Sequence, residues 1–430
     1  MKSPLSVAVF ICLEWQPNAG GHVKCWERFA EAASHYPNRV DLTIYFLGAT
    51  EQTIERAANV RYRLLPPQFS TQRLEILRQG AGLTDVAPFH WGLRRYLGQH
   101  DVFHLTDTFS FAHTVRRFCQ RQQRPLLSSI HTDLPLLTRT YSREIILRMS
   151  GRSWGTPFWR WLWLEQLQID QWFSRQAQQK LAGFMRASDR LLVSRQQDYD
   201  WLTRFLPRER VGWFRRGIDR DRFHPRWRQP QWLREEYHLP DHPILLFVGR
   251  VDASKNVLLL AKAALELTKQ GYDYHLLVVG EGAQAQEIKG CLGERVTLAG
   301  KVPQEKLGAI YASSDVFVFP SESETGPNVV VEARAAGLPV VISGFDGGCK
   351  YVVASGVDGV VVNSREPQDW AAAIAPLLAD ADYREAMGAQ AHEITQRTCP
   401  SWQEAFAADI LPQWEALAAR GRVHPEAAVF

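Results

Sequence analysis

One stretch constrains this chain more than any other: Asp315 to Gly348, DVFVFPSESETGPNVVVEARAAGLPVVISGFDGG. Val316 to Pro320 reads as a short apolar strand that Pro320-Ser321 stops. A polar loop follows from Glu322 to Asn328, then a helix pattern from about Val329 to Ala336. Gly337 stands where a helix C-terminal cap belongs, Pro339 blocks continuation, and Val340 to Ser343 is the next buried strand. Strand, loop, helix and strand make one βαβ unit of a parallel sheet.

Ligands of such sheets sit beyond the carboxyl ends of the strands, where loops meet helix N-termini. Glu324 lies at the mouth of this loop and Glu332 one turn into the helix. Helix N–H groups suit an anion, and carboxylates accept hydrogen bonds from hydroxyls, so the pair fits a sugar nucleotide. Two glutamates by themselves read first as a loop charge and a solvated helix residue. Their surroundings decide. Pro320-Ser321, Glu324, seven residues, Glu332-Ala333, then Ala336-Gly337-Leu338-Pro339-Val340-Val341 resemble the E-x7-E signature of retaining glycosyltransferase family 4, the group 1 glycosyltransferases. The resemblance implies a GT-B fold: two Rossmann-like, doubly wound parallel-sheet α/β domains facing a central cleft. Where that family has an aromatic residue and then Gly, this chain has Gly326-Pro327, and Pro327 lacks an N–H. The departure bears on which sugar is bound rather than on the reaction class.

The rest of the chain extends the resemblance. Residues 4–12, PLSVAVFIC, form a first strand that runs through Gly20-Gly21 into a helix from about Val23 to Ala33. In the family this Gly-Gly faces the donor diphosphate and the acceptor. Asp41 to Leu47, Val60 to Leu65 and Asp101 to Leu105 are further strands, and Pro125 to Ser129 leads to His131-Thr132-Asp133. A lone His is more often structural, but this one stands where the family places its HT-D histidine, beside the transferred sugar. Arg190 to Ser194 is another strand. Arg216-Gly217-Ile218-Asp219 with Phe223 and Pro225 is similar to the family's interdomain linker. The expected domains are 1–215, with a C-terminal helix of about 402–430 packing back on it, and 216–401.

The second domain opens with Ile244 to Val248, then Gly249-Arg250 and Lys255 at the start of a helix. These resemble the family's G-R…K, whose cations hold the donor diphosphate. Arg offers phosphate a planar fork and Lys a point charge, which stabilises a leaving diphosphate without a metal. Gly280-Glu281-Gly282-Ala283-Gln284-Ala285 matches GxGxxA after a strand and raises a dinucleotide site. That reading needs an acidic residue ending the next strand, but Val296 to Gly300 ends in Lys301. The resemblance instead places Val302 against the nucleotide base, and Gly326, Asn328 and Val329 on the donor beside Glu332.

Charge bears on the partners. The formal net charge is +4, but residues 139–228 alone carry a surplus of ten positive charges, and much of the Trp content falls there. Residues 148–185 interleave Trp and Phe with Arg, as a peripheral contact with an anionic membrane would require. A core or interdomain face would use the same rings. Nothing in the block resembles a nucleic-acid-binding module. The apolar N-terminus is short for a signal peptide and no run approaches a membrane span. Six scattered cysteines suggest neither zinc nor disulfides.

The sequence thus predicts a metal-independent retaining hexosyltransferase without a cofactor, cytoplasmic or peripheral at the inner membrane face. It would move a sugar from a UDP- or GDP-sugar to a glycan or lipid hydroxyl. His131, Glu324, Arg250 and Lys255 would carry catalysis, and Gly20, Gly21, Val302, Gly326, Asn328, Val329 and Glu332 would bind the donor. The alternatives are a GT-B nucleotide-sugar isomerase and a non-catalytic sugar-nucleotide-binding protein.

Overall fold

Short runs of Val, Ile, Leu and Phe without polar alternation suit strands covered on both faces. The computed structural model, which describes residues 3–16, 19–71, 84–131, 169–322, 326–345 and 347–420, places them in two sheets. The chain divides into one unit of residues 1–215 with 402–430, and a second of residues 216–401.

The first unit holds an eight-stranded sheet in the order β3-β4-β2-β1-β5-β6-β7-β8. Its strands are β1 (Leu5–Glu14), β2 (Val40–Leu47), β3 (Gln52–Ala57), β4 (Val60–Leu65), β5 (Val102–Leu105), β6 (Leu126–Ser129), β7 (Arg190–Val193) and β8 (Val211–Trp213). All neighbours pair parallel except β3 and β4. The second unit holds six parallel strands in the order β11-β10-β9-β12-β13-β14. These are β9 (Ile244–Val248), β10 (His275–Val279), β11 (Val296–Gly300), β12 (Val316–Phe319), β13 (Val340–Ser343) and β14 (Val360–Val362).

Strand order reverses between β1 and β5 in the first sheet and between β9 and β12 in the second. Loops leaving the two strands at such a point diverge to opposite faces and open a crevice. Helix α1 (Gly21–Ser34) follows β1, and α2 (Asn328–Ala335) follows β12. The C-terminal segment returns to the first unit through Trp402–Ala405, a π-helical turn at Phe406–Ile410, and α3 (Leu411–Arg420). Trp402 packs edge-on to Phe29 at 5.1 Å, and Asp409 accepts both Arg215 Nε and Nη2 at 2.9 Å. Among the described residues no helix is long and apolar enough to cross a membrane.

Two expectations shift. Lys255 does not begin the α-helix: it ends a 3-10 turn at Ala253–Lys255, and the helix starts at Val257. Asn256, left-handed at φ 54°, makes the break. The antiparallel strand β3 was not foreseen, because QTIERA lies largely exposed at the sheet edge and lacks an apolar run.

Several buried histidines are held neutral. Burial lowers His104 to about 3, and burial with nearby positive charge lowers His100 and His275 to about 4. Each folded pKa lies below its unfolded value, so the stabilisation is present above about pH 6.5 and is lost as pH falls toward 4. Asp107, pushed up to about 6 by burial, opposes this by taking up one proton in the folded first unit. Two histidines against one aspartate leave one net proton in the first unit, and His224, also lowered by burial, adds to His275 in the second. Urea unfolding is therefore expected to show the first unit losing about 1 kcal/mol per pH unit near pH 5 and the second losing stability in the same direction. Stability unchanged between pH 7 and pH 5 would contradict this.

Candidate functional site

In the second unit the loops after β9 and β12 meet at the switch point. After β9 come Gly249, at φ 154°, and Arg250. Arg250 Nη1 lies 3.1 Å from Asp252 Oδ2, and its Nη2 donates to Ser254 Oγ at 3.1 Å. Asp252 is buried and accepts from the Ser254 amide at 3.0 Å and the Ser254 hydroxyl at 2.5 Å. Arg250 stays 43% exposed, so the loop orients the guanidinium without enclosing it. Ser321, the first residue past Pro320, donates from Oγ to the Ser254 carbonyl at 3.3 Å. That bond ties the cation loop to the glutamate loop. Glu322 is engaged elsewhere, in a two-point pair with Arg365 at 2.9 and 2.8 Å.

Helix α2 carries Asn328, Val329 and Glu332. Tyr311 donates its hydroxyl to Glu332 Oε2 at 3.1 Å. Burial, reinforced by the Glu332 charge, pushes the Tyr311 phenol well above its ordinary range, so it remains a donor. Arg216 Nη1 donates to Asn328 Oδ1 at 3.2 Å. A Cβ placed on Gly326 would come within 3.3 Å of the Tyr351 hydroxyl and 3.5 Å of Lys350 Nζ. Gly326 therefore sits in a turn faced by an aromatic and a cation. Val329 and Val302 pack half-buried on the core of this unit. Glu324 lies outside the described residues, as do Thr132, Asp133 and most of the Trp/Arg segment 148–185.

The glycines of the GxGxxA stretch have a packing role. Gly280 is at φ 135°, and a Cβ there would lie 1.8 Å from the Gly249 carbonyl oxygen; one on Gly282 would lie 2.2 Å from that of Val251. Gly249 N–H donates to Val279 O, and Val251 N–H to Glu281 O, both at 2.9 Å. These glycines let two backbone segments touch, which fixes the path of the arginine loop.

In the first unit the structure joins two sequence-predicted elements. The His131 ring stacks on His22, next to Gly20-Gly21, with centroids 4.6 Å apart. Phe214 and Trp26 flank it at 4.9 and 5.9 Å. Among the described residues an added Cβ at Gly20 or Gly21 meets nothing within 4 Å, so packing against them does not demand glycine at either position. His22, Tyr311 and Lys350 are not candidates of the sequence, and Arg216 enters there only as part of the linker motif; their signal is spatial, since Tyr311 precedes Glu332 by 21 residues.

Two parallel-sheet α/β units, each with loops gathered at a switch point, define a GT-B protein. Sucrose-phosphate synthase from Thermosynechococcus elongatus is similar, with a TM-score of 0.70 at 20% identity, over 96% of this chain and 99% of that one. An Anabaena protein solved with UDP and glucose has a TM-score of 0.66 at 15% identity, over 96% and 100%. Likeness at these identities establishes the fold. Sequence goes further for the second unit: residues 229–394 match the family model of glycosyl transferases group 1, and this part of the chain is a domain of that family. D-inositol 3-phosphate glycosyltransferase of Nocardia farcinica is 36% identical over 197 residues, 43% of this chain and 43% of that one. The matches span 36% to 58% of the lengths of the first such relatives.

Two residues beyond Glu332, Arg334 anchors the helix through a buried pair with Asp358 at 2.7 Å, their side chains 1% and 0% exposed. Arg334 Nε also donates to Thr395 Oγ1 at 3.3 Å. Asp358 further accepts the Val353 and Ala354 amides at 3.0 and 2.7 Å. Removing either partner strands a buried charge, a loss of about 3–5 kcal/mol. Asp358→Ala strands two amides besides, so denaturant titration should find it more destabilising than Arg334→Met. The reverse order would contradict this anchoring.

Proposed function

We propose that this chain is a retaining glycosyltransferase that moves a hexose from a UDP- or GDP-sugar to an acceptor hydroxyl. The observation that carries the proposal is the pairing of a half-exposed Arg250, on a loop fixed by Asp252 and Ser254, with the Ser321-to-Glu332 segment at the same switch point. Arg250 and Lys255 are assigned the diphosphate, whose growing charge they stabilise in place of a metal ion. Glu332, oriented by Tyr311, is assigned the ribose hydroxyls, and Glu324 the sugar hydroxyls. Val302, Gly326, Asn328 and Val329 line the donor, and Val302 faces the base. In the first unit, Gly20, Gly21 and His131 are assigned to substrate. Same-face attack, with the departing phosphate accepting the proton, needs no enzymic base. The group 1 match over residues 229–394 supports the class, and the Anabaena structure with UDP and glucose makes UDP-glucose the first donor to try.

The acceptor is proposed to be a lipid or a glycan precursor at a membrane surface. Support comes from the basic, Trp-rich block, within which Trp172 is 55% exposed and Arg175 is exposed as well.

The test is nucleotide release from a panel of UDP- and GDP-sugars, with and without anionic vesicles carrying a lipid extract. Release of one nucleoside diphosphate only with lipid, with a glycolipid that keeps the donor's anomeric configuration by proton NMR and with chelator present, is expected. Release without lipid would move the acceptor to a soluble molecule. Donor binding with no release would favour a binding protein, and conversion of the donor sugar without release an isomerase. Arg250→Ala and Lys255→Ala should each lower kcat/KM by about 10²–10³. A Glu324→Ala protein with full activity would contradict the assignment.

A further inference from the structure

Four buried side chains link the C-terminal helix α3 to His131. Trp414 Nε1 donates to His104 Nδ1 at 3.2 Å. His104 Nε2 lies 2.8 Å from Ser129 Oγ, which lies 2.7 Å from His131 Nε2. Trp414 and His104 are 0% exposed, Ser129 5% and His131 3%.

We infer that this relay sets the tautomer of His131, so that the neutral ring carries its proton on Nδ1. An indole N–H only donates, so His104 Nδ1 is the acceptor. Burial keeps His104 neutral far below physiological pH, so its one proton is on Nε2 and points to Ser129 Oγ. Among the described residues the two imidazole nitrogens are the side-chain neighbours of Ser129 Oγ. The single hydroxyl hydrogen therefore goes to His131 Nε2, which must be a bare nitrogen. If His131 Nε2 carried the proton instead, Ser129 would accept from both rings. Its own hydrogen would then be buried without an acceptor, the costly arrangement for a polar group.

The consequence rests on the transferase reading: the His131 proton is on Nδ1, a buried atom, so where the ring meets a sugar oxygen it does so as a donor rather than with a basic lone pair. It would steady a sugar oxygen and would not remove the acceptor's proton. Trp414, His104 and Ser129 are then positioning residues. His22, stacked face to face, and Phe214 hold the plane of the ring.

The direct test is long-range proton–nitrogen NMR of the full chain labelled with 15N-histidine at pH 8. The His131 signals are those lost in His131→Gln, and the His104 signals those lost in His104→Gln. The expected spectrum shows His131 protonated on Nδ1 and His104 on Nε2. Ser129→Ala, which removes one oxygen, should convert His131 to a tautomer mixture or to the Nε2–H form. It should also lower kcat about tenfold, as loss of one hydrogen bond does, with donor KM nearly unchanged. Trp414→Phe provides a second break in the relay and should release the His104 tautomer. An Nε2-protonated His131 in the unaltered protein, or an Nδ1–H form that persists in Ser129→Ala, would overturn the inference. The spectrum needs no turnover, so a failure of the transferase reading appears separately, as absent nucleotide release.

Discussion

Contact between two glycine-bearing backbone segments underlies the second unit's site. Gly280 and Gly282 press against the carbonyls of Gly249 and Val251 at distances no side chain permits. Ladder bonds from Gly249 to Val279 and from Val251 to Glu281 extend β9 and β10 past their strands. The chain must then turn at Arg250, and the short Asp252–Ser254 cluster converts that turn into a fixed guanidinium. Everything assigned to phosphate depends on this crossing, and the bond from Ser321 to Ser254 carries its position to the glutamate loop.

Helix α2 is anchored from the opposite direction. Burial would raise the Asp358 carboxyl, but two backbone amides and Arg334 more than reverse it and hold it below its ordinary value. Arg334 and Glu332 thus divide the helix: one side chain locks it to the β13–β14 connection, while the other meets Tyr311.

Much of this was legible in the sequence, for identifiable reasons. Strands such as Ile244–Val248 and Val316–Phe319 are covered on both faces and so read as unbroken apolar runs. Arg250 and Glu332 were singled out because the residues around them resemble the family's G-R…K and E-x7-E patterns, beside strands of this kind. The GxG stretch was visible, but its role in packing two backbones was not. Residues joined across the fold left no local trace: His104 and Trp414 are 310 positions apart, and His22 meets His131 through ring stacking. The Lys255 helix start was misjudged by two residues because Asn256 adopts a left-handed conformation that its neighbours do not announce.

The central claim is that the β9 loop recognises a diphosphate. Calorimetric titration of the full chain with UDP and UMP, and with GDP and GMP, addresses it without knowledge of the acceptor. One diphosphate is expected to bind at least about tenfold more tightly than its monophosphate, as charge-assisted contacts to a second phosphate would give. Arg250→Ala combined with Lys255→Ala should abolish that difference. Equal affinity for diphosphate and monophosphate, or a preference that survives the double substitution, would contradict it.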